Sequence, residues 1–181
     1  YIQTITDKFD ALQKQVVAKT SVELTINGAD GKRAVRNAET NLGDLCADAY
    51  RILLGADIAF VNGGGVRDNI KVGDITYGDI IKVHPFGNEA CLVEVTGQQI
   101  KDALELGSAA YPGESGGFLQ VSGLTYTINA DIPSSVVKNN KSEFVKVDGA
   151  YRVSDIMVGG QPLDVSKTYT LASHNYMLKD A

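Results

Sequence analysis

Apolar residues recur at spacings of three and four over residues 2–16. Ile2, Ile5, Phe9, Leu12 and Val16 fall on one stripe, which predicts an amphipathic helix. Val17 to Ile26 reads as a strand, closed by the turn signals Asn27-Gly28 and Asp30-Gly31. A second helix is predicted after Asn41, whose side chain is placed to cap free amides while Asp44 favours the positive helix end. Leu42, Leu45, Cys46, Ala49, Ile52 and Leu53 would give it a broad buried face, and Gly55 would end it. The run Ile58–Val61 predicts a buried strand that stops at three consecutive glycines. Cys91, Val93 and Val95 alternate with Leu92 and Glu94, as on a strand near the surface. Thr96-Gly97-Gln98-Gln99 spells a capping box that opens a third helix burying Ile100, Ala103 and Leu104. Beyond it, strands are predicted at Phe118–Val121, Leu124–Ile128, Phe144–Val147, Tyr151–Val158 and Thr168–Ala172, with a polar loop over 131–142. Helices dominate the first half and strands the second, which predicts an α+β fold with a mixed β-sheet packed with helices.

Composition narrows this picture without redirecting it. A chain of 181 residues, 44% hydrophobic and 22% charged, suits one domain with a real core. No apolar stretch approaches the length of a membrane helix. A net charge of −5 argues against bulk electrostatic binding to nucleic acid, although a few arginines around a cleft still create a local positive field. Cys46 and Cys91 sit in apolar surroundings without metal-ligand spacing, so two buried thiols are expected and the compartment stays open. His84 and His174 belong to no ligand cluster and read as structural, so no transition-metal site is expected in this chain.

The most informative segment is Asn62-Gly63-Gly64-Gly65-Val66-Arg67. Glycine permits positive φ and close approach of a bound group, Asn62 offers amide donors and an acceptor, and Arg67 offers a planar fork for phosphate or carboxylate. A solvated turn with an incidental arginine is the competing reading. Other patterns fail. Gly113-Glu114-Ser115-Gly116-Gly117 spells a nucleophile elbow, but a Tyr111-Pro112 turn precedes it and a strand follows, where a strand and then a helix are required. Gly28 to Lys32 echoes a phosphate loop, yet Arg33 stands where serine or threonine belongs. Asn140-Lys141-Ser142 is a formal glycosylation sequon and decides nothing. What remains is a set of separated segments suited to one ligand: Arg36 ahead of Glu39-Thr40-Asn41-Leu42-Gly43, then Asn62 with Arg67, Pro85-Phe86-Gly87-Asn88, and Asn175-Tyr176. Two aromatic faces can sandwich a nucleobase, and arginines can hold ribose or phosphate oxygens.

In this order and spacing, these segments resemble the C-terminal domain of the 5′-nucleotidase family. That family includes periplasmic UDP-sugar hydrolases, cell-surface ecto-5′-nucleotidases and bacterial 2′,3′-cyclic-nucleotide phosphodiesterases. The resemblance implies a connector helix over 1–16 and a nucleotide-binding domain over 17–181. It also implies a partner outside this chain, an N-terminal metallophosphoesterase domain holding two divalent metal ions. No cofactor is expected within the chain itself. Carried over residue by residue, it makes Phe86 one face of a base clamp and Tyr176 the other, where the family's usual residue is phenylalanine. Arg36 and Arg67 match arginines that contact phosphate or ribose oxygens, Asn62 a polar contact, and Asn88 an asparagine that some members place near the base. The family continues to a Gly-Asp-Gly whose aspartate holds the ribose hydroxyls, whereas this sequence stops at Asp180-Ala181. The expected function is therefore nucleoside or nucleotide recognition within an exported phosphohydrolase, with the substrate phosphate presented to the metals. Each role has a rival: Phe86 as a core plug, Arg36 as the ion-pair partner of Glu39, Asn62 as a turn holder. A non-catalytic surface binding or adhesion module is the competing function.

Overall fold

The computed structural model describes residues 2–180, with the side chains of Thr6 and of residues 9–178. In chain order the elements are α1 (Ile2–Gln13), β1 (Val16–Thr20), α2 (Asn41–Leu54), β2 (Ile58–Asn62), a tight turn Gly63–Gly65, β3 (Gly73–Thr76), α3 (Tyr77–Val83), β4 (Ala90–Thr96) and α4 (Gly97–Ser108). There follow β5 (Leu119–Ser122), β6 (Leu124–Ile128), β7 (Val136–Lys138), β8 (Phe144–Val147), β9 (Val153–Val158), β10 (Gln161–Pro162), β11 (Thr168–His174) and a short helical turn Tyr176–Asp180.

The central sheet has the order β4-β11-β2-β5. β11 runs parallel to β2 and antiparallel to β4, while β2 and β5 are antiparallel, so the sheet is mixed as its alternation predicts. β2 is buried on both faces. Its Ile58 and Phe60 join Ile100 and Leu104 of α4, while Val61 joins Leu42, Cys46 and Ala47 of α2. The sheet is thus clamped between two helices, the usual way to bury both of its faces. A three-stranded antiparallel sheet, β10-β9-β6, and the pairs β1-β3 and β7-β8 surround it.

Several boundaries depart from expectation for local reasons. The first helix ends at Gln13, and Val16 opens β1 instead of extending the helical stripe; Phe9 and Leu12 are exposed. Ile2 and Ile5, the rest of that stripe, lie outside the described side chains. The expected strand to Ile26 stops at Thr20, whose hydroxyl accepts from the amide of Val22 and donates to its carbonyl, turning the chain. Thr40, not Asn41, caps α2: its Oγ1 accepts from the amide of Gly43. Asn41 is engaged elsewhere, accepting from the amide of Thr25 and donating to the carbonyl of Glu23.

The broad apolar face of α2 divides. Leu42 and Cys46 are buried, but Leu45, Ala49, Ile52 and Leu53 are exposed, because only one flank of the helix rests on the sheet. Gly55 ends α2 in a left-handed conformation, as expected. α3 was not anticipated. Seven residues are too few to show periodicity, yet Thr76 and Asp79 cap each other reciprocally, a capping box written with aspartate. The polar stretch 131–142 contains the short strand β7, and Asn140-Lys141-Ser142 sits at the turn of the β7-β8 hairpin. Both cysteines are free; burial pushes the Cys46 thiol up to about 12, whereas Cys91 is half-buried instead of buried.

Candidate functional site

The parallel strands β2 and β11 end on the same side of the sheet, and open α/β arrangements bind ligands beyond such carboxyl ends. β2 delivers Asn62 and the glycine turn; β11 delivers His174, Asn175 and then Tyr176. The loop after α3 brings His84, Pro85, Phe86 and Asn88 alongside. Asn175 ties the two stems together: its amide donates to the Glu89 carbonyl at 2.9 Å, and its Oδ1 accepts from the Glu89 amide at 2.9 Å.

Between these segments lies a cavity of about 460 Å³, lined by Asn62, Gly64, Gly65, Phe86, Asn88, Gly116, Gly117 and Tyr176. Four of the six residues singled out from sequence therefore share one hollow: Asn62, Phe86, Asn88 and Tyr176. Phe86 is 59% exposed and Tyr176 46% exposed, so Phe86 plugs no core and both rings offer faces to a ligand. Gly87, at φ 64°, supplies the left-handed residue that turns the chain just after Phe86.

Arg67 stands at the cavity's rim. Its Cζ lies 6.0 Å from the centre of the Phe86 ring, and its Nη1 donates to the Gly64 carbonyl at 3.2 Å. Arg36 is not among the lining residues. Its backbone packs against Gly63, its carbonyl accepts from the Ser115 amide at 2.9 Å, and its side chain contributes to a field that lowers the Glu114 carboxyl. Among the described residues no ion pair joins Arg36 to Glu39.

The glycine turn serves close packing more than unusual dihedrals. None of Gly63, Gly64 and Gly65 has positive φ, but a Cβ on Gly63 would collide with the Val35 carbonyl oxygen, and one on Gly64 would crowd the Gly116 carbonyl at 2.9 Å. The amide of Gly64 donates to that same Gly116 carbonyl at 2.9 Å, and Asn62 Nδ2 donates to it at 3.3 Å. Asn62 Oδ1 is buried and has no protein partner. A buried acceptor in this state costs about 1–3 kcal/mol until a donor reaches it.

Sequence reasoning missed the wall formed by Gly116 and Gly117. Their segment is no nucleophile elbow, since no helix follows Ser115 and β5 begins at Leu119. The loop is held against residues 33–37 instead: Arg33 pairs with Glu114 through Nε at 2.9 Å and Nη2 at 2.5 Å, and Asn37 Nδ2 donates to the Pro112 carbonyl at 3.0 Å. The hydrogen bond from Arg33 holds the Glu114 carboxyl below its ordinary range, with charge from Arg33 and Arg36 adding to it. Two glycines before a strand were the only available signal.

His174 lies against the Tyr176 ring and is buried, and His84, two residues before Phe86, is half-buried. Desolvation pushes both below the ordinary histidine range. Among the described residues no group of three or more His, Cys, Asp or Glu side chains is placed to hold a metal ion.

Comparison with known proteins places this architecture. The model of the domain described as "5'-nucleotidase, C-terminal domain" matches residues 16–181. The trifunctional nucleotide phosphoesterase protein YfkN of Bacillus subtilis is 36% identical over 181 residues, which is 93% of this chain and 12% of that protein. Protein UshA of Escherichia coli is 32% identical over 163 residues, covering 87% of this chain and 26% of UshA. A crystal structure of a 5′-nucleotidase precursor from Thermus thermophilus superposes with a TM-score of 0.73 at 33% identity, covering 97% of this chain and 32% of the other. The chain thus spans about an eighth to a third of the proteins it matches.

Proposed function

Since the chain belongs to the 5′-nucleotidase C-terminal domain family, we propose that it recognises the nucleoside part of the substrate of a nucleotide phosphohydrolase. Phe86 and Tyr176 stack on the two faces of the base, Asn62 Oδ1 takes a hydrogen bond from a ligand N–H or O–H, and Arg67 meets anionic oxygens at the rim. Asn88 borders the base edge. Arg36 acts at longer range, raising the positive potential at the same mouth. The observation that carries this reading is the pair of exposed rings facing one cavity with an unsatisfied buried acceptor beside them. Phe86 and Tyr176 keep 59% and 46% of their surface exposed, so neither ring is consumed by packing.

Two of the relatives named above carry a nucleotide phosphoesterase and a 5′-nucleotidase in their names, and phosphoester cleavage belongs on this reading to a metal-holding domain that is not in this chain. No residue here is assigned a step in breaking the ester. What the chain contributes is orientation, and a reacting group misplaced by about 1 Å can cost roughly a hundredfold in rate. An exported setting goes with the same reading.

The test is titration of adenosine into the purified chain by NMR or calorimetry. Wild type should bind on the order of millimolar. Phe86→Ala should weaken binding by roughly tenfold or more, the loss of one stacked face, with an unchanged melting temperature. Unfolding of Phe86→Ala would return Phe86 to a packing role, and equal binding by both proteins would remove the clamp. The adhesion-module reading predicts no nucleoside binding at all.

A further inference from the structure

Each clamp ring follows a histidine by two positions: His84-Pro85-Phe86 and His174-Asn175-Tyr176. In the fold these histidines converge on one side chain, Tyr50 of α2. The Tyr50 ring centre is 6.3 Å from that of His84, edge-on at 85°, and 5.7 Å from that of His174, at 52°. His174 in turn lies 6.2 Å from Tyr176 with the planes 25° apart, so the ligand-facing ring stacks on a buried imidazole. His84 hydrogen-bonds the backbone of Gly65, within the glycine turn that lines the cavity. The two stems are therefore bridged twice, by Asn175 with Glu89 at the surface and by Tyr50 beneath.

This array has no place for a proton. His174 is 1% exposed, and its Nδ1 is buried without a partner. Among the described residues neither histidine pairs with a carboxylate. The groups facing the array are Tyr50 and Cys46 from α2, Cys91 from β4, Tyr176 beyond β11 and each histidine toward the other. Burial raises the Tyr50 phenol and the Cys46 thiol, so neither of these supplies an anion near neutral pH. The nearest permanent charge described at the clamp is Arg67 over Phe86, which is a cation. A buried charge without a counter-ion is costly, and the structure relieves that cost by moving the imidazole toward water.

We propose that His84, Tyr50 and His174 are the mounting of the aromatic clamp and make it pH-gated: with both imidazoles neutral Phe86 and Tyr176 hold a flat heteroaromatic base, and a proton on either one shifts Tyr176 or the glycine turn and releases it. The proposal rests on Phe86 and Tyr176 being the base-binding rings. Desolvation lowers both histidines, outweighing at His84 the Gly65 backbone hydrogen bond that raises it, and His84 further lowers His174, so the neutral, closed form prevails around neutral pH and the gate opens as pH falls below the ordinary histidine range. His84, Tyr50 and His174 are positioning residues; none touches the ligand.

The test uses the chain itself with adenosine, whose charge does not change between about pH 8 and about pH 5, unlike that of a monophosphate. Wild type should bind roughly tenfold more weakly at the lower pH. His174→Phe keeps a ring under Tyr176 but takes no proton, and it should bind within about twofold of its high-pH affinity at the lower pH. His84→Asn, at a partly exposed position, should flatten the remaining slope and serves if His174→Phe does not fold. Without ligand, the Tyr176 ring signals should move in step with the histidine signals during an NMR pH titration. Equal wild-type affinity at both pH values, or the same slope in wild type and both histidine variants, overturns the proposal. If adenosine binds at neither pH, the base-clamp reading falls; Tyr176 signals that stay still while the histidines titrate then overturn the mounting separately.

Discussion

At the first turn of α2 the Asp44 carboxyl shares a half-open cavity with Glu39 and Asp48. Two effects oppose each other there. The positive helix end favours the ionised form, while burial and the two neighbouring carboxylates disfavour it. The second effect wins: burial first, then Glu39 and Asp48, push Asp44 up to about 6. An acid whose folded value is raised holds its proton longer in the fold than in the unfolded chain. Stability contributed by protonated Asp44 is therefore present at low pH and lost as pH rises through about 6. Asp44→Asn should be more stable than wild type near pH 7 by about 1 kcal/mol, after allowing for partial exposure, and should lose that advantage near pH 4. Paired melting curves at the two pH values check it. At the same scale, Asn62 Oδ1 is buried without a protein partner, and the proposed function gives that acceptor a ligand donor.

Between elements, one buried cation does the fastening. Arg152, just before β9, is nearly fully buried and pairs with no carboxylate side chain. Its Nη1 donates to the carbonyls of Ser108 (2.8 Å) and Tyr111 (2.9 Å), and its Nη2 to that of Ile132 (2.8 Å). The positive group also meets the carbonyl end of α4, where a cation is favoured. Glu105 completes the joint from the helix side, its Oε2 accepting from the amides of Arg152 (2.8 Å) and Val153 (3.1 Å). Removing the guanidinium strands several carbonyls. Arg152→Met should cost about 3 kcal/mol, read as a lower denaturant midpoint with an unchanged slope. Neither periodicity nor charge pattern announces such a residue. In sequence Arg152 is one more surface-type arginine, and the carbonyls that receive it come from two separate stretches of chain, 108–111 and Ile132.

Across the whole molecule, the parallel pairing of β2 with β11 matters most for function. These strands are separated by more than a hundred residues in sequence, yet their carboxyl ends bring Asn62 and Tyr176 to one hollow, with the loop after α3 inserted beside them. The result, on the proposed reading, is a recognition surface, and no metal-holding group lies among the described residues. On the proposed reading the purified chain should release no phosphate from AMP, with or without added zinc, manganese or magnesium, while still binding adenosine. A phosphate-release assay checks this. Metal-dependent hydrolysis by the chain alone would move catalysis into this domain and end the division of labour proposed above.

The sequence by itself determined what depends on near neighbours. Alternation of period two specified β4 and β6, the capping box of Thr96 and Gln99 opened α4, and Gly55 closed α2, because each of these is settled within a few residues. Family-like motifs pointed to the correct fold and to four residues that share the cavity. Only the tertiary structure decided questions of partnership. It chose Thr40 over Asn41 as the cap, because Asn41 is drawn to the backbone of Glu23 and Thr25 beside it. It exposed half of the apolar face of α2, because the sheet covers one flank only. It held the Arg36 side chain off the cavity lining and put Gly116 and Gly117 there in its place. It also brought His84 and His174, ninety residues apart, to one side chain, Tyr50. Local propensity acts over a turn or a strand, whereas these outcomes depend on which distant segments the sheet brings together.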